Sequence, residues 1–216
     1  LRCLVGSEMC IRDSDKVRLL DGRPFASVEE MDEAMIVRWN ERVRKKKDEV
    51  VILGDLCLGK GEQVNELLHK LNGKKYLVTG NHDRLFLRDK KFDPSLLEWV
   101  KPYAELKDNG RKLVLCHYPI ICYNGQYHGD STYMLYGHVH DTPDYKNVLR
   151  FQRESTEITY HAKGRGASVG EERHLPCNLI NCFAGFSDYY PLTLEEWIDK
   201  QNNLCYDVKR CEEKKK

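Results

Sequence analysis

Four apolar runs in this chain break off in the same manner. "VVIL" (50–53) ends in Gly54-Asp55, and "YLVT" (76–79) ends in Gly80-Asn81-His82-Asp83. "LVLC" (113–116) ends in His117-Tyr118-Pro119, and "YMLY" (133–136) ends in Gly137-His138-Val139-His140. Short apolar runs bounded by turn residues read as buried strands. Layered α/β folds place their sites at the carboxyl ends of such strands. A chain that repeats this grammar is constrained to bring several polar strand ends together. His117 alone reads equally as a core histidine with satisfied ring nitrogens, so its meaning depends on the other three ends.

The remaining pattern supplies the layers. Ser27-Val-Glu-Glu30 is a capping box. It predicts a helix to about Lys47, with Val28, Met31, Met35, Trp39 and Val43 on one side. Strands are predicted at 49–53 and 75–79, with a helix over 62–71 ending at Asn72-Gly73. A short helix is predicted over 94–100, opened by Pro94. Asn109-Gly110 predicts a hairpin. A helix over 145–153, a long polar loop over 154–176, a strand over 178–183 and a helix over 192–201 complete the reading. Early alternation of strand and helix, with hairpins later, indicates mixed sheets layered with helices.

Bulk properties exclude several classes. The 216 residues are enough for one domain with a sizeable core. With 35 basic and 34 acidic residues, the net charge of +1 provides no general field toward nucleic acid or membrane. No apolar run approaches the length of a membrane span. The nine cysteines contain no Cys-x-x-Cys pair, and reduced thiols in a cytoplasmic protein are expected. "RVRKKKDE" reads as a solvated helix end.

The polar strand ends share one chemistry. Carboxylate, amide oxygen and imidazole suit Mn²⁺, Fe or Zn²⁺, and no soft thiolate is needed. Two histidines at i and i+2 of an extended segment face the same side, as His138 and His140 would. A histidine near its working pKa suits proton donation.

The ordered series GD, GNHD, H and GHxH resembles the calcineurin-like metallophosphoesterases, and most the small bacterial or phage-type members. The resemblance continues in "RPFASVEEMDEAMI" (23–36), "GHVHDTP" (137–143) and "DYYPLTLEEW" (188–197), and covers roughly residues 15–200. It implies a four-layer αββα sandwich of two mixed sheets. It also implies a binuclear metal centre, with Mn²⁺ first and Fe, Zn²⁺ or Ni²⁺ as alternatives. The expected activity is hydrolysis of phosphomonoesters or phosphodiesters by a bridging hydroxide. The substrate would be a small phosphorylated molecule, a nucleotide or a nucleic-acid phosphodiester. In that reading Asp55 bridges two ions, Asn81, His117 and His138 complete one shell, and His140 serves the other. His82 acts on the leaving oxygen and Asp83 orients its imidazole. Arg84 and His128 are weaker candidates for substrate contact. Leu56-Cys57-Leu58-Gly59 follows Asp55 in place of the Asp-Arg-Gly continuation of Ser/Thr protein phosphatases, which argues against that branch.

The front of the chain departs from the family pattern. Its opening Asp-x-His motif is missing, and counting back from Arg23 puts the two positions near Met9 and Ile11. Asp13 and Asp15 are out of register. Residues 5–13 match a translated sequencing-library adapter, and 1–14 read as a non-native segment, ahead of a phosphoesterase domain over 15–201 and a charged tail over 202–216. Impaired activity is therefore expected of this chain. The competing reading is a non-catalytic metal-binding or regulatory module on the same fold. Oligomeric state has no signature in the sequence.

Overall fold

A computed structural model describes residues 3–6, 18–19, 22–162 and 170–213. The first part of the chain forms β1 (Cys3–Gly6), α1 (Val28–Arg42), β2 (Glu49–Ile52), α2 (Gly61–Lys70), β3 (Lys74–Val78), the one-turn α3 (Arg84–Leu87) and β4 (Trp99–Lys101). Then come β5 (Tyr103–Asp108), β6 (Arg111–Cys116), β7 (Thr132–Tyr136), α4 (Pro143–Glu157), β8 (Thr159–His161), β9 (Glu172–His174), β10 (Leu179–Asn181), β11 (Leu192–Thr193) and α5 (Leu194–Glu213).

Two mixed sheets result. The first runs β11-β1-β2-β3-β4, and the second β10-β7-β6-β5. β1 to β4 are parallel, with β11 antiparallel on β1. β6, β7 and β10 are parallel, with β5 antiparallel on β6.

Alternation along the strands builds the layers, because successive side chains point to opposite faces. Val50 and Ile52 pack with Met31, Met35, Trp39, Leu67 and Leu68 of α1 and α2. Val51 and Leu53 pack with Leu113, Leu115, Tyr133 and Leu135 of the second sheet. Val114, Met134 and Tyr136 turn the other way, toward Tyr145 of α4. The order is helix, sheet, sheet, helix. α5 touches β1 and β11 of the first sheet and β10 of the second, and Trp197 Nε1 donates to Val5 O at 3.0 Å.

Several boundaries depart from the sequence reading. The capping box forms: Ser27 Oγ accepts from Glu30 N at 3.2 Å, and Glu30 Oε2 accepts from Ala26 N at 2.6 Å. The helix stops at Arg42, short of Lys47, because Asp48 Oδ2 takes the Arg44 and Lys45 N–H groups into a turn. The segment 94–100 is not one helix. A 3₁₀ turn over Pro94–Leu96 gives way to β4, where Trp99 and Val100 pair with Tyr76 and Leu77. Aromatic and β-branched residues favour that pleated edge. The polar stretch 154–176 holds the end of α4 and the β8–β9 hairpin. The backbone of α5 stays helical to Glu213, well into the segment read as a tail. Cys3–Gly6 is a strand, although the opening segment shows no strand period. The positions Met9, Ile11, Asp13 and Asp15 lie outside the described residues.

The Asn109-Gly110 hairpin is as predicted. Both residues have positive φ, +46° and +81°, the signature of a type I′ turn.

Candidate metal centre

The polar strand ends converge where β2, β3, β6 and β7 finish. Gly54 (φ +89°) and Asp55 (φ +50°) carry the chain sharply out of β2. Gly54 has no room for a side chain: an added Cβ would overlap His117 Nδ1 and stand 2.8 Å from the Gly80 Cα. A Cβ on Gly80 would overlap the Asp55 carboxylate. The two glycines let three loops touch.

His117 is fully buried at the end of β6. Its Nδ1–H donates to Leu53 O at 2.9 Å. In the neutral ring, the form that binds a metal, that bond fixes the tautomer and leaves a lone pair on Nε2. The lone pair faces Asn81 Oδ1 at 2.9 Å and Asp55 Oδ2 at 3.6 Å. Three electron-rich atoms therefore face one another, an arrangement that a cation resolves. The His138 ring lies edge-on to that of His117, with centroids 5.0 Å apart. Tyr118 packs edge-on to both rings, at 4.9 Å and 4.6 Å.

His82 is held differently. Its backbone N–H donates to Asp55 Oδ1 at 2.9 Å, and its half-exposed imidazole places Nε2 4.0 Å from Asp55 Oδ2. Asp83 does not orient that ring. Its Oδ2 accepts from Asp55 N (3.0 Å) and Gly80 N (2.8 Å), and its Oδ1 from Leu56 N (2.9 Å). Burial raises the Asp83 carboxyl to about 6, the Gly80 and Leu56 N–H groups oppose this, and nearby Asp55 adds to the rise. Asp83 thereby ties the β2 and β3 loops together and fixes the Asp55 turn.

His138 occupies a strained turn. Val139 N–H donates to Gly137 O at 2.7 Å across His138, whose φ is +63°. This is the classic γ-turn pattern, which is rare and strained. The His140 ring stacks on Phe183, with centroids 4.5 Å apart at 11°. Arg84 opens α3 beside the site and is exposed. His128 is in the turn that enters β7, at the end opposite to His138. It is not gathered with the other candidates. Cys57 is buried beside the Asp55 turn.

Asn181 and Phe183 were not singled out by the sequence reading. Asn181 ends β10 level with Tyr136 of β7. It is buried, with Nδ2 donating to Val139 O at 2.5 Å and Oδ1 accepting from Phe183 N at 3.1 Å. The signal was available: "NLINCF" is another apolar run broken by a polar residue.

The donor set fits one divalent ion held by Asp55, Asn81 and His117, with His138 alongside. Among the described residues no group of three or more His, Cys, Asp or Glu side chains forms a metal cluster. The trio here counts an asparagine oxygen among its donors. A second ion's shell is not assembled among the described residues.

Two mixed sheets thus lie between helices, with carboxylate, amide and imidazole groups at the strand ends. The chain belongs to the calcineurin-like phosphoesterase family, whose profile matches residues 27–176. An uncharacterized protein of Methanocaldococcus jannaschii, MJ1445, is 38% identical over 120 residues, which are 55% of this chain and 58% of that protein. The chain thus matches little more than half of that relative's length. The crystal structure of a protein of unknown function from Aquifex aeolicus, AQ665, superposes with a TM-score of 0.57 at 21% identity. The superposition covers 93% of this chain and 98% of that one, and the likeness concerns the fold alone.

No described helix is long and apolar enough to cross a membrane.

Proposed function

We propose that this chain is a divalent-metal-dependent phosphoester hydrolase that works with Mn²⁺ on phosphomonoesters or phosphodiesters. The observation that carries the reading is the convergence of the His117 Nε2, Asn81 Oδ1 and Asp55 Oδ2 lone pairs. Asp55, Asn81, His117 and His138 hold the principal ion, and His140 serves a second. When bound, the metal polarises a phosphoryl oxygen and lowers the pKa of water. His82 stands in front of Asp55, half exposed, and protonates the leaving oxygen. Asp83 keeps Asp55 in place through the Asp55, Leu56 and Gly80 amides.

The chain contains no Asp-x-His, so binding of a second ion and turnover are weak. The same absence favours a second reading, a metal-binding module without turnover. Mn²⁺ binding by calorimetry, with turnover of p-nitrophenyl phosphate and bis(p-nitrophenyl) phosphate, separates the two. Binding with EDTA-sensitive turnover supports the hydrolase, and binding with no turnover supports the module. Replacing residues 1–14 with a strand ending in Asp-x-His should raise turnover by orders of magnitude. Equal rates would sink the claim that the front of the chain is impaired. Absence of stoichiometric Mn²⁺ binding would overturn both readings.

A further inference from the structure

The geometry points to Asn181 as the positioning residue that holds the His138–His140 turn in its ligand-bearing shape. This inference rests on the proposed metal role of those histidines.

Three features converge on it. First, the turn is strained: a non-glycine residue sits at φ +63°, and the turn closes through Val139 N to Gly137 O. A left-handed, non-glycine centre persists only where its surroundings over-determine it. Second, the surroundings are specific. Gly137 N–H is held by His117 O at 3.0 Å and Thr142 N–H by His140 O at 2.8 Å. Both bonds lie within the two loops themselves. The Asn181 carboxamide is the tie that reaches the turn from β10, by donating to Val139 O. Third, the other end of that carboxamide is occupied as well. Its oxygen accepts from Phe183 N, and the Phe183 ring is the one stacked on His140. One buried side chain therefore sets both the backbone between the two histidines and the aromatic face against the second. A hydrophobic residue at this position would leave Val139 O and Phe183 N without these partners. A shorter polar one would not span both.

The consequence is functional as well as structural. The His138 and His140 rings leave the backbone on either side of Val139, so a relaxed turn swings both imidazoles. Partners behind metal ligands commonly change affinity by about 10–100-fold when removed.

The test uses the whole chain with Asn181→Asp and Asn181→Ser. Asn181→Asp keeps an acceptor for Phe183 N and removes the donor to Val139 O, while Asn181→Ser is neutral and shorter. Amide hydrogen exchange is read in metal-free protein, and Mn²⁺ affinity by calorimetry. In Asn181→Asp the Val139 and Thr142 amides should exchange roughly three- to tenfold faster, with the Phe183 amide unchanged. The Mn²⁺ dissociation constant should rise about 10–100-fold in both variants. If Asn181→Asp does not fold, Asn181→Ser supplies the reading. Unchanged protection of the turn and unchanged Mn²⁺ affinity would overturn the inference. So would a loss of protection spread evenly over β7 and β10, or failure of both variants to fold, since each makes Asn181 a general structural bond. If the wild-type chain binds no Mn²⁺, the metal reading fails on its own, and the exchange data alone decide whether Asn181 holds the turn.

Discussion

His117 Nε2 and Asp55 Oδ2 stand 3.6 Å apart, while the other ring nitrogen of His117, Nδ1, donates to Leu53 O. The pair is held by backbone geometry on both sides: a buried imidazole anchored to β2, and a carboxylate at the turn where β2 ends. From it follow expectations about affinity, chemistry and stability.

His117→Ala removes the one fully buried imidazole, which is anchored to Leu53 O just past β2 of the first sheet. Mn²⁺ affinity should fall by at least about 10–100-fold, since loss of a ligand exceeds loss of its outer partner. Calorimetric titration with Mn²⁺ reads this directly, and an unchanged dissociation constant would remove His117 from the ligand set.

His82→Ala should behave in the opposite way. The imidazole is half exposed and its Nε2 is 4.0 Å from Asp55. Metal content should stay nearly constant while turnover falls by about 10²–10⁴-fold, the usual worth of a general acid. Metal analysis of the purified variant beside its kcat checks both halves, and loss of metal would show the role to be misassigned.

Asp83→Ala should cost stability rather than chemistry alone. It strips the acceptor from the Asp55, Leu56 and Gly80 N–H groups, all buried. Each buried unsatisfied donor costs about 1–3 kcal/mol. Urea unfolding should show a loss of at least one such increment, and a midpoint equal to wild type would contradict the stapling role.

Gly80→Ala tests the closeness of the loops. Its Cβ would overlap the Asp55 carboxylate, so either Asp55 moves or the β3 loop does. Overpacking of this kind costs about 1–3 kcal/mol, and weaker Mn²⁺ binding should accompany the lower unfolding midpoint.

Away from the site, the exposed Glu105 makes a small pH-dependent contribution to stability. Lys112, then Tyr103 and Asn124, hold its carboxylate down at about 2, from an ordinary 4.5. A carboxylate with a lowered folded pKa stabilises fully above its unfolded value, and that contribution disappears as pH falls through the folded value. The contribution is thus complete above 4.5 and lost on descending toward 2. Glu105→Gln should flatten the stability profile across that window. Urea midpoints measured at stepped pH would show a matching slope in both proteins if the network were idle.

Much of this was legible in the sequence, and the physical reason is periodicity. Val50 to Leu53 and Leu113 to Cys116 are apolar on both faces, as strands between two layers must be, and Asn109-Gly110 specified its turn. Ligand candidates were readable because Asp55, Asn81, His117 and His138 each follow such a run. The missed parts depend on contacts between segments distant in sequence. Asp83 looked like a partner for His82 because the two are adjacent, yet its oxygens reach back to amides 27 and 28 positions away. Asn181 carries no local signal of its partner, Val139, which lies 42 positions earlier. Trp99 and Val100 became a strand because β3 offered an edge, a fact that no local window contains.

The bond from Trp197 Nε1 to Val5 O links α5 to β1, and β11 flanks β1 on the first sheet. During synthesis, therefore, β1 must wait. It can pair with β2 within some fifty residues, but its other edge stays open until Leu192 and Thr193 leave the ribosome. Contacts this distant in sequence form late and slowly. While β1 lacks that partner, the nascent chain is more exposed to aggregation. The two-residue strand that leads into α5 thereby sets when β1 is paired on both sides.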